Sequence, residues 1–210
     1  MTKNWKLRKA LLKQCGGGMC KGAMNLVNTM FSAISKWILQ LFGWKIEGQY
    51  PHELKKFVLI VVPHTSNWDF PLGLLVRSAL KAKIKYVGKA SLFRPPFGWI
   101  FRLLGGYPVD RNKRSNFVDA VVDIFSREEE FALTIAPEGT RKKVEKLKTG
   151  FYYIALGAKV PIVMVRFDWG KKIIGFSQPF YPSGSIGEDM EFIEQYYQGV
   201  KGKNAANSFG

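Results

Sequence analysis

Histidine and cysteine are scarce in this chain of 210 residues, which holds two of each. Cys15 and Cys20 flank Gly16-Gly17-Gly18-Met19, and His52 and His64 lie well away from them. Such a supply argues against a structural zinc site and is too thin for a disulfide framework, so no metal and a reducing compartment are expected. Acidic residues are missing from the start, none preceding Glu47. Lys3, Lys6, Arg8, Lys9, Lys13, Lys21, Lys36 and Lys45 therefore stand in a basic arm with nothing to neutralise them. Long apolar runs are lacking too. The best candidate, Met24 to Phe42, is broken by Asn28, Ser35 and Gln40, whereas a spanning helix needs about 20 predominantly apolar residues. No small-residue cleavage site of a secretory signal follows it, and no repeat of fixed period runs through the sequence.

What is present reads as an ordinary globular domain. Hydrophobic residues make up 47% and charged residues 23%, which excludes disorder, collagen-like and coiled-coil architectures, and the length suits one domain. The 32 Lys and Arg exceed the 16 Asp and Glu, giving a formal charge of +16. That balance attracts polyanions: nucleic acid, anionic lipid, or a phosphorylated or acidic substrate. No zinc-finger spacing, RNA-binding aromatic signature or basic zipper accompanies the charge. Nucleic acid is therefore not expected as a partner, and a basic nucleic-acid-binding protein is kept as the alternative of a different class.

In Met24 to Phe42, the residues Val27, Met30, Phe31, Ile34, Trp37, Ile38 and Leu41 recur at helical spacing, with Asn25, Thr29, Ser32 and Lys36 opposite. Two readings stand side by side: an interfacial amphipathic helix lying on a membrane, or a helix that covers the core. Beyond Gly43, strand and helix patterns alternate. Strands are expected at 57–62, 84–87, 131–136, 161–167 and 173–176, and helices at 70–80, 116–125, 150–158 and 188–198. This is an α/β fold, a single domain with a largely parallel central sheet flanked by helices and preceded by an amphipathic N-terminal helical segment. The expected divisions are a basic N-terminal segment 1–45, a domain 46–198, and a flexible tail 199–210.

Ligands of such a sheet gather at the carboxyl ends of its strands. After the first expected strand comes Pro63-His64-Thr65-Ser66-Asn67-Trp68-Asp69. On one continuous helix His64 and Asp69 would lie about 140° apart, but a strand-to-helix turn can bring them together. An aspartate accepting the Nδ1 proton would fix the histidine tautomer and leave Nε2 free to take a proton from a hydroxyl. The competing reading is a turn histidine with a helix-capping aspartate. Ser66 lacks a nucleophile elbow, so a base here would activate the substrate's own hydroxyl. After the strand at 131–136 comes Pro137-Glu138-Gly139-Thr140-Arg141, where glycine permits close approach, Thr140 offers a hydroxyl and Arg141 can fork onto phosphate. Gly105-Gly106-Tyr107-Pro108-Val109-Asp110-Arg111 supplies a second glycine turn ending in arginine.

Taken in order, these blocks resemble the glycerolipid acyltransferase family, the lysophosphatidic acid acyltransferases and their relatives. His64 and Asp69 match its His-x-x-x-x-Asp block, Gly105 to Arg111 the second block, Pro137 to Arg141 the third, and Val160-Pro161-Ile162-Val163 the fourth. Lys148-Thr149-Gly150 resembles the Lys-x-Gly segment that often follows the third. Ala136 stands where an aromatic is common and Lys142 where a serine is common. The resemblance covers about residues 57 to 180. It implies transfer of a fatty acyl group from a thioester of acyl carrier protein or coenzyme A to the hydroxyl of a lysophospholipid, 1-acylglycerol-3-phosphate foremost, with a lyso-aminolipid as the alternative acceptor. No cofactor is implied beyond the acyl donor. His64 and Asp69 would be catalytic, while Arg111, Glu138, Gly139, Thr140 and Arg141 would bind the acceptor and its phosphate, Glu138 by taking a hydroxyl or orienting Arg141. Membrane association is expected to be peripheral, on the cytoplasmic face of the inner or cell membrane, at an anionic surface.

Overall fold

In a computed structural model, residues 19–109 and 117–210 are described. The elements run α1 (Met19–Leu41), β1 (Lys45–Glu47), β2 (Lys56–Val62), α2 (Asp69–Ala79), β3 (Ile84–Lys89), α3 (Gly98–Leu103), β4 (Gly106–Val109), α4 (Phe117–Arg127), β5 (Phe131–Ile135), α5 (Gly150–Ala158), β6 (Ile162–Asp168), β7 (Ile173–Phe176) and α6 (Ile186–Tyr196). The seven strands form one sheet in the order β1-β7-β6-β2-β5-β3-β4. All neighbours are parallel except β6 and β7.

Both faces of this sheet are covered, which is why its central strands read as unbroken apolar runs rather than alternating ones. Along β2 successive side chains still point to opposite faces. Val58, Ile60 and Val62 join Val121 and Phe125 of α4, Ile154 of α5 and Ile193 of α6 in one buried cluster. Phe57 and Leu59 join Leu72 and Val76 of α2, Leu39 of α1 and Trp44 in the other. The two edge strands carry the weakest sequence signal. β1 has only three residues, and β4 contains Pro108, which an edge tolerates because its missing N–H costs no ladder bond there. α3 and both edge strands were absent from the sequence pattern for this reason: short elements show no period.

α1 has two distinct faces, one packed on the domain and one left exposed. Ser32, Ser35 and Leu39 are buried, spaced three and four residues apart so that they form one stripe. The small residues let the helix approach α2 closely, and Ser32 Oγ donates to the carbonyl of Ala79 at 2.8 Å, one of the oxygens the end of α2 leaves without a helical partner. Met30, Phe31, Ile34, Trp37 and Leu41 face outward, Trp37 being 62% exposed. Among the described residues no helix is long and apolar enough to cross a membrane.

The segment 199–210, expected as a flexible tail, packs against the domain. Phe209 is 3% exposed and belongs to the cluster beneath α4, α5 and α6. The Trp169 N–H donates to the carbonyl of Lys201 at 2.8 Å, and Asn204 donates from its backbone and side chain to Thr65 Oγ1 and the Thr65 carbonyl, at 3.1 and 2.9 Å. A single aromatic anchor and a few polar contacts hold a segment whose Gly, Asn and Ser content looked loose. Phe209→Ala should accordingly destabilise the protein by about 3 kcal/mol, read as a lower midpoint in urea unfolding; an unchanged midpoint would return the segment to a frayed tail.

Candidate active site

The first candidate block forms the connection between β2 and α2, at the carboxyl edge of the sheet. His64 and Asp69 do meet: Nδ1 lies 3.1 Å from Asp69 Oδ2. The pair differs in exposure, the His64 side chain being 27% exposed and that of Asp69 only 3%. Burial of a carboxylate requires donors, and Asp69 has them. The Ser66 N–H donates to Oδ2 at 2.9 Å, and the indole N–H of Trp169 donates to Oδ1 at 2.8 Å. Ser66 Oγ accepts the Trp68 N–H at 3.2 Å, so this hydroxyl serves the turn. With Nδ1 turned to Asp69, Nε2 is the nitrogen left for chemistry.

Glu138 is found in a place the sequence did not suggest. Its carboxylate accepts the backbone N–H of His64 at 2.6 Å and is 2% exposed. It lies neither among the residues that line the cavity described below nor in an ion pair with Arg141. This hydrogen bond tethers two loops, since β2 and β5 are neighbouring parallel strands whose ends lie side by side. Burial pushes the Glu138 carboxyl up to about 7, with the Asp69 carboxylate acting in the same direction and the His64 N–H against it.

Gly139 has φ +65°, and a Cβ there would come within 2.5 Å of Lys148 Nζ. The glycine therefore lets the Lys148 side chain lie across the loop. Thr140 Oγ1 accepts the Lys142 N–H at 3.3 Å, and Arg141 is exposed. Arg111 lies outside the described residues.

A cavity of about 1410 Å³ brings these parts together. His64 and Asp69 line it, as do Gly139, Thr140, Arg141 and Lys148, together with Thr149 and Gly150 at the start of α5. A further wall is apolar, with Leu59, Val61, Val76, Val165 and Phe167 from the sheet and α2. Backbone N–H groups at the start of a helix have no helical acceptor and suit an anion, so the cationic side chains and this terminus form one wall fit for a phosphate. Trp169 and the cavity's apolar wall escaped the sequence reading. Trp169 follows the last residue of β6, so the same strand-end rule that singled out His64 would have pointed to it.

The family model described as Acyltransferase matches residues 44–168, more than half of the chain. A 1-acyl-sn-glycerol-3-phosphate acyltransferase of Haemophilus influenzae is 26% identical over 196 residues, covering 82% of this chain and 80% of the relative. The enzyme of that name from Escherichia coli is 29% identical over 133 residues, covering 60% of this chain, which spans 53% of the relative's length. The crystal structure of the 1-acyl-sn-glycerophosphate acyltransferase from Thermotoga maritima superposes with a TM-score of 0.57 at 18% identity, covering 91% of this chain and 85% of that one.

Glu138 gives a test of the site's electrostatics. The folded protein holds the Glu138 proton more tightly than the unfolded chain, whose carboxyl titrates near 4.5. Its contribution is therefore most favourable below that value and is lost as pH rises through about 7. Glu138→Gln keeps a carbonyl acceptor for His64 and cannot ionise. Its stability relative to wild type should climb between pH 4.5 and 7, by on the order of 3 kcal/mol, in urea unfolding followed at several pH values. A difference that stays flat with pH would mean that Glu138 ionises equally freely in both states.

Proposed function

The chain belongs to the acyltransferase family, and from that premise we propose that it transfers a fatty acyl group from a thioester of acyl carrier protein or coenzyme A to the free hydroxyl of 1-acylglycerol-3-phosphate, giving phosphatidic acid. The observation that carries the reading is the contact between a buried aspartate and a part-exposed histidine beside a cavity with one apolar and one cationic wall. His64 Nε2 takes the proton of the acceptor hydroxyl as its oxygen attacks the thioester carbonyl carbon. The carbon–sulfur bond then breaks, and the proton passes from His64 to the leaving thiolate. Asp69 holds the tautomer that leaves Nε2 free and stabilises the imidazolium between the two steps. Arg141, Lys148 and the first N–H groups of α5 take the phosphate, so that binding energy becomes orientation of the hydroxyl. The apolar wall suits an acyl chain.

Purified protein supplied with lysophosphatidic acid or a lyso-aminolipid, and with each thioester donor in turn, tests the assignment. Transfer to lysophosphatidic acid is expected, with kcat lowered about 10² to 10⁴-fold by His64→Ala and acceptor KM raised more than donor KM by Arg141→Ala. Full turnover in a folded His64→Ala protein would falsify the base. A preference for the lyso-aminolipid would move the acceptor class, and a donor KM effect would move Arg141 to the donor side.

Docking of this enzyme on an anionic membrane is part of the same reading. The outward stripe of α1 and the basic N-terminal residues supply the two signals, buried apolar area and charge attraction, that reversible attachment needs. Co-sedimentation with vesicles should require anionic lipid, weaken with salt, and drop several-fold for the triple variant Phe31→Asp, Ile34→Asp, Trp37→Asp. Equal binding by that variant would leave the charge alone to explain attachment.

A further inference from the structure

We propose that Trp169 is a positioning residue for the acyl transfer, fixing the Asp69 carboxylate so that Oδ2 stays on His64 Nδ1. The inference rests on the reading of His64 as the base. A carboxylate turns in a broad, two-fold torsional well about its last bond, so an aspartate that must present one oxygen to an imidazole needs more than one restraint. The turn's own donor, Ser66 N–H, falls on Oδ2, the oxygen already facing His64. Oδ1 is held from a strand end a hundred residues along the chain, by Trp169 Nε1 at 2.8 Å. With both oxygens engaged, the carboxylate plane is set. Indole suits this duty because its N–H is a donor only and has no second tautomer.

The indole is itself seated on several sides. Trp44, the buried residue just after α1, meets it edge-on with ring centroids 5.0 Å apart. The ammonium of Lys203 lies 4.9 Å from the Trp169 ring and 4.5 Å from that of Trp68, in the range of a cation–π contact. The Trp169 backbone N–H is bound to the Lys201 carbonyl. The C-terminal segment and the end of α1 thus both bear on the residue that bears on Asp69.

The experiment uses the full-length protein in the acyl-transfer assay, with Trp169→Phe and with a second variant carrying 3-benzothienyl-alanine at position 169, which keeps the bicyclic shape and lacks the N–H. The analogue covers the case in which Trp169→Phe fails to fold. Loss of one hydrogen bond to a charged group should lower kcat about ten-fold, with acceptor and donor KM within about two-fold of wild type. In an Asp69→Asn background the same replacement should change kcat by less than about two-fold, because its effect passes through Asp69. Unchanged kcat in the analogue, a rise in KM alone, or a full ten-fold loss in the Asp69→Asn background overturns the proposal. His64→Ala and Asp69→Asn are measured alongside. If both keep full turnover, the base reading fails and this inference with it; if both lose turnover while the analogue does not, the Trp169 role alone fails.

Discussion

A carboxylate taken out of water has to be matched by donors, and the site is organised around the way Asp69 meets that requirement. Left without partners, the buried charge would cost several kcal/mol or be neutralised by a proton. Its two oxygens instead face an amide of its own turn, an imidazole and an indole. Those donors come from the β2–α2 connection and from the end of β6, so satisfying one charge pins two strand ends together. A second buried carboxylate, Glu138, ties the loop after β5 to the backbone of His64. The histidine is consequently restrained at its ring by one acid and at its backbone by another. Its side chain stays part-exposed all the same.

The distribution of apolar surface follows from the parallel sheet. Burial on both faces leaves few apolar groups to spare inside, yet α1 turns Met30, Phe31, Ile34 and Trp37 to the outside and hides two serines. A helix meant only to cover the core would do the reverse. The serine stripe is affordable in packing terms because small side chains permit close approach and Ser32 has a carbonyl to bind. The outward stripe and the cavity's apolar wall are then two surfaces suited to hydrocarbon on one molecule. The cavity's other wall and the basic N-terminal residues are suited to phosphate.

Sequence periodicity sufficed for the middle of the fold. The helix at 150–158 and the strand at 173–176 match α5 and β7 residue for residue, β2 and β5 differ from expectation by one residue at one end, and β6 is shifted by one residue at both ends. Their central place in a sheet covered on both faces demands long apolar runs, and such runs are visible in one dimension. The joining of His64 to Asp69 was also legible, because five residues across a strand-to-helix turn leave few arrangements. Glu138 was visible as a residue of the site but its partner was not, since that partner is an amide 74 positions away.

The amino-acid order by itself determined the alternation of strands and helices, the excess of positive charge, and the residues gathered at the carboxyl ends of the strands. Each of these is a local property, fixed by a residue's neighbours along the chain. Tertiary structure alone decided which face of α1 looks outward, that Phe209 anchors the C-terminus, and that Trp169 rather than a nearer residue completes the shell of Asp69. Those outcomes depend on which distant groups arrive beside one another when the sheet closes, and a hydrogen bond a few ångströms long leaves no trace in sequence spacing.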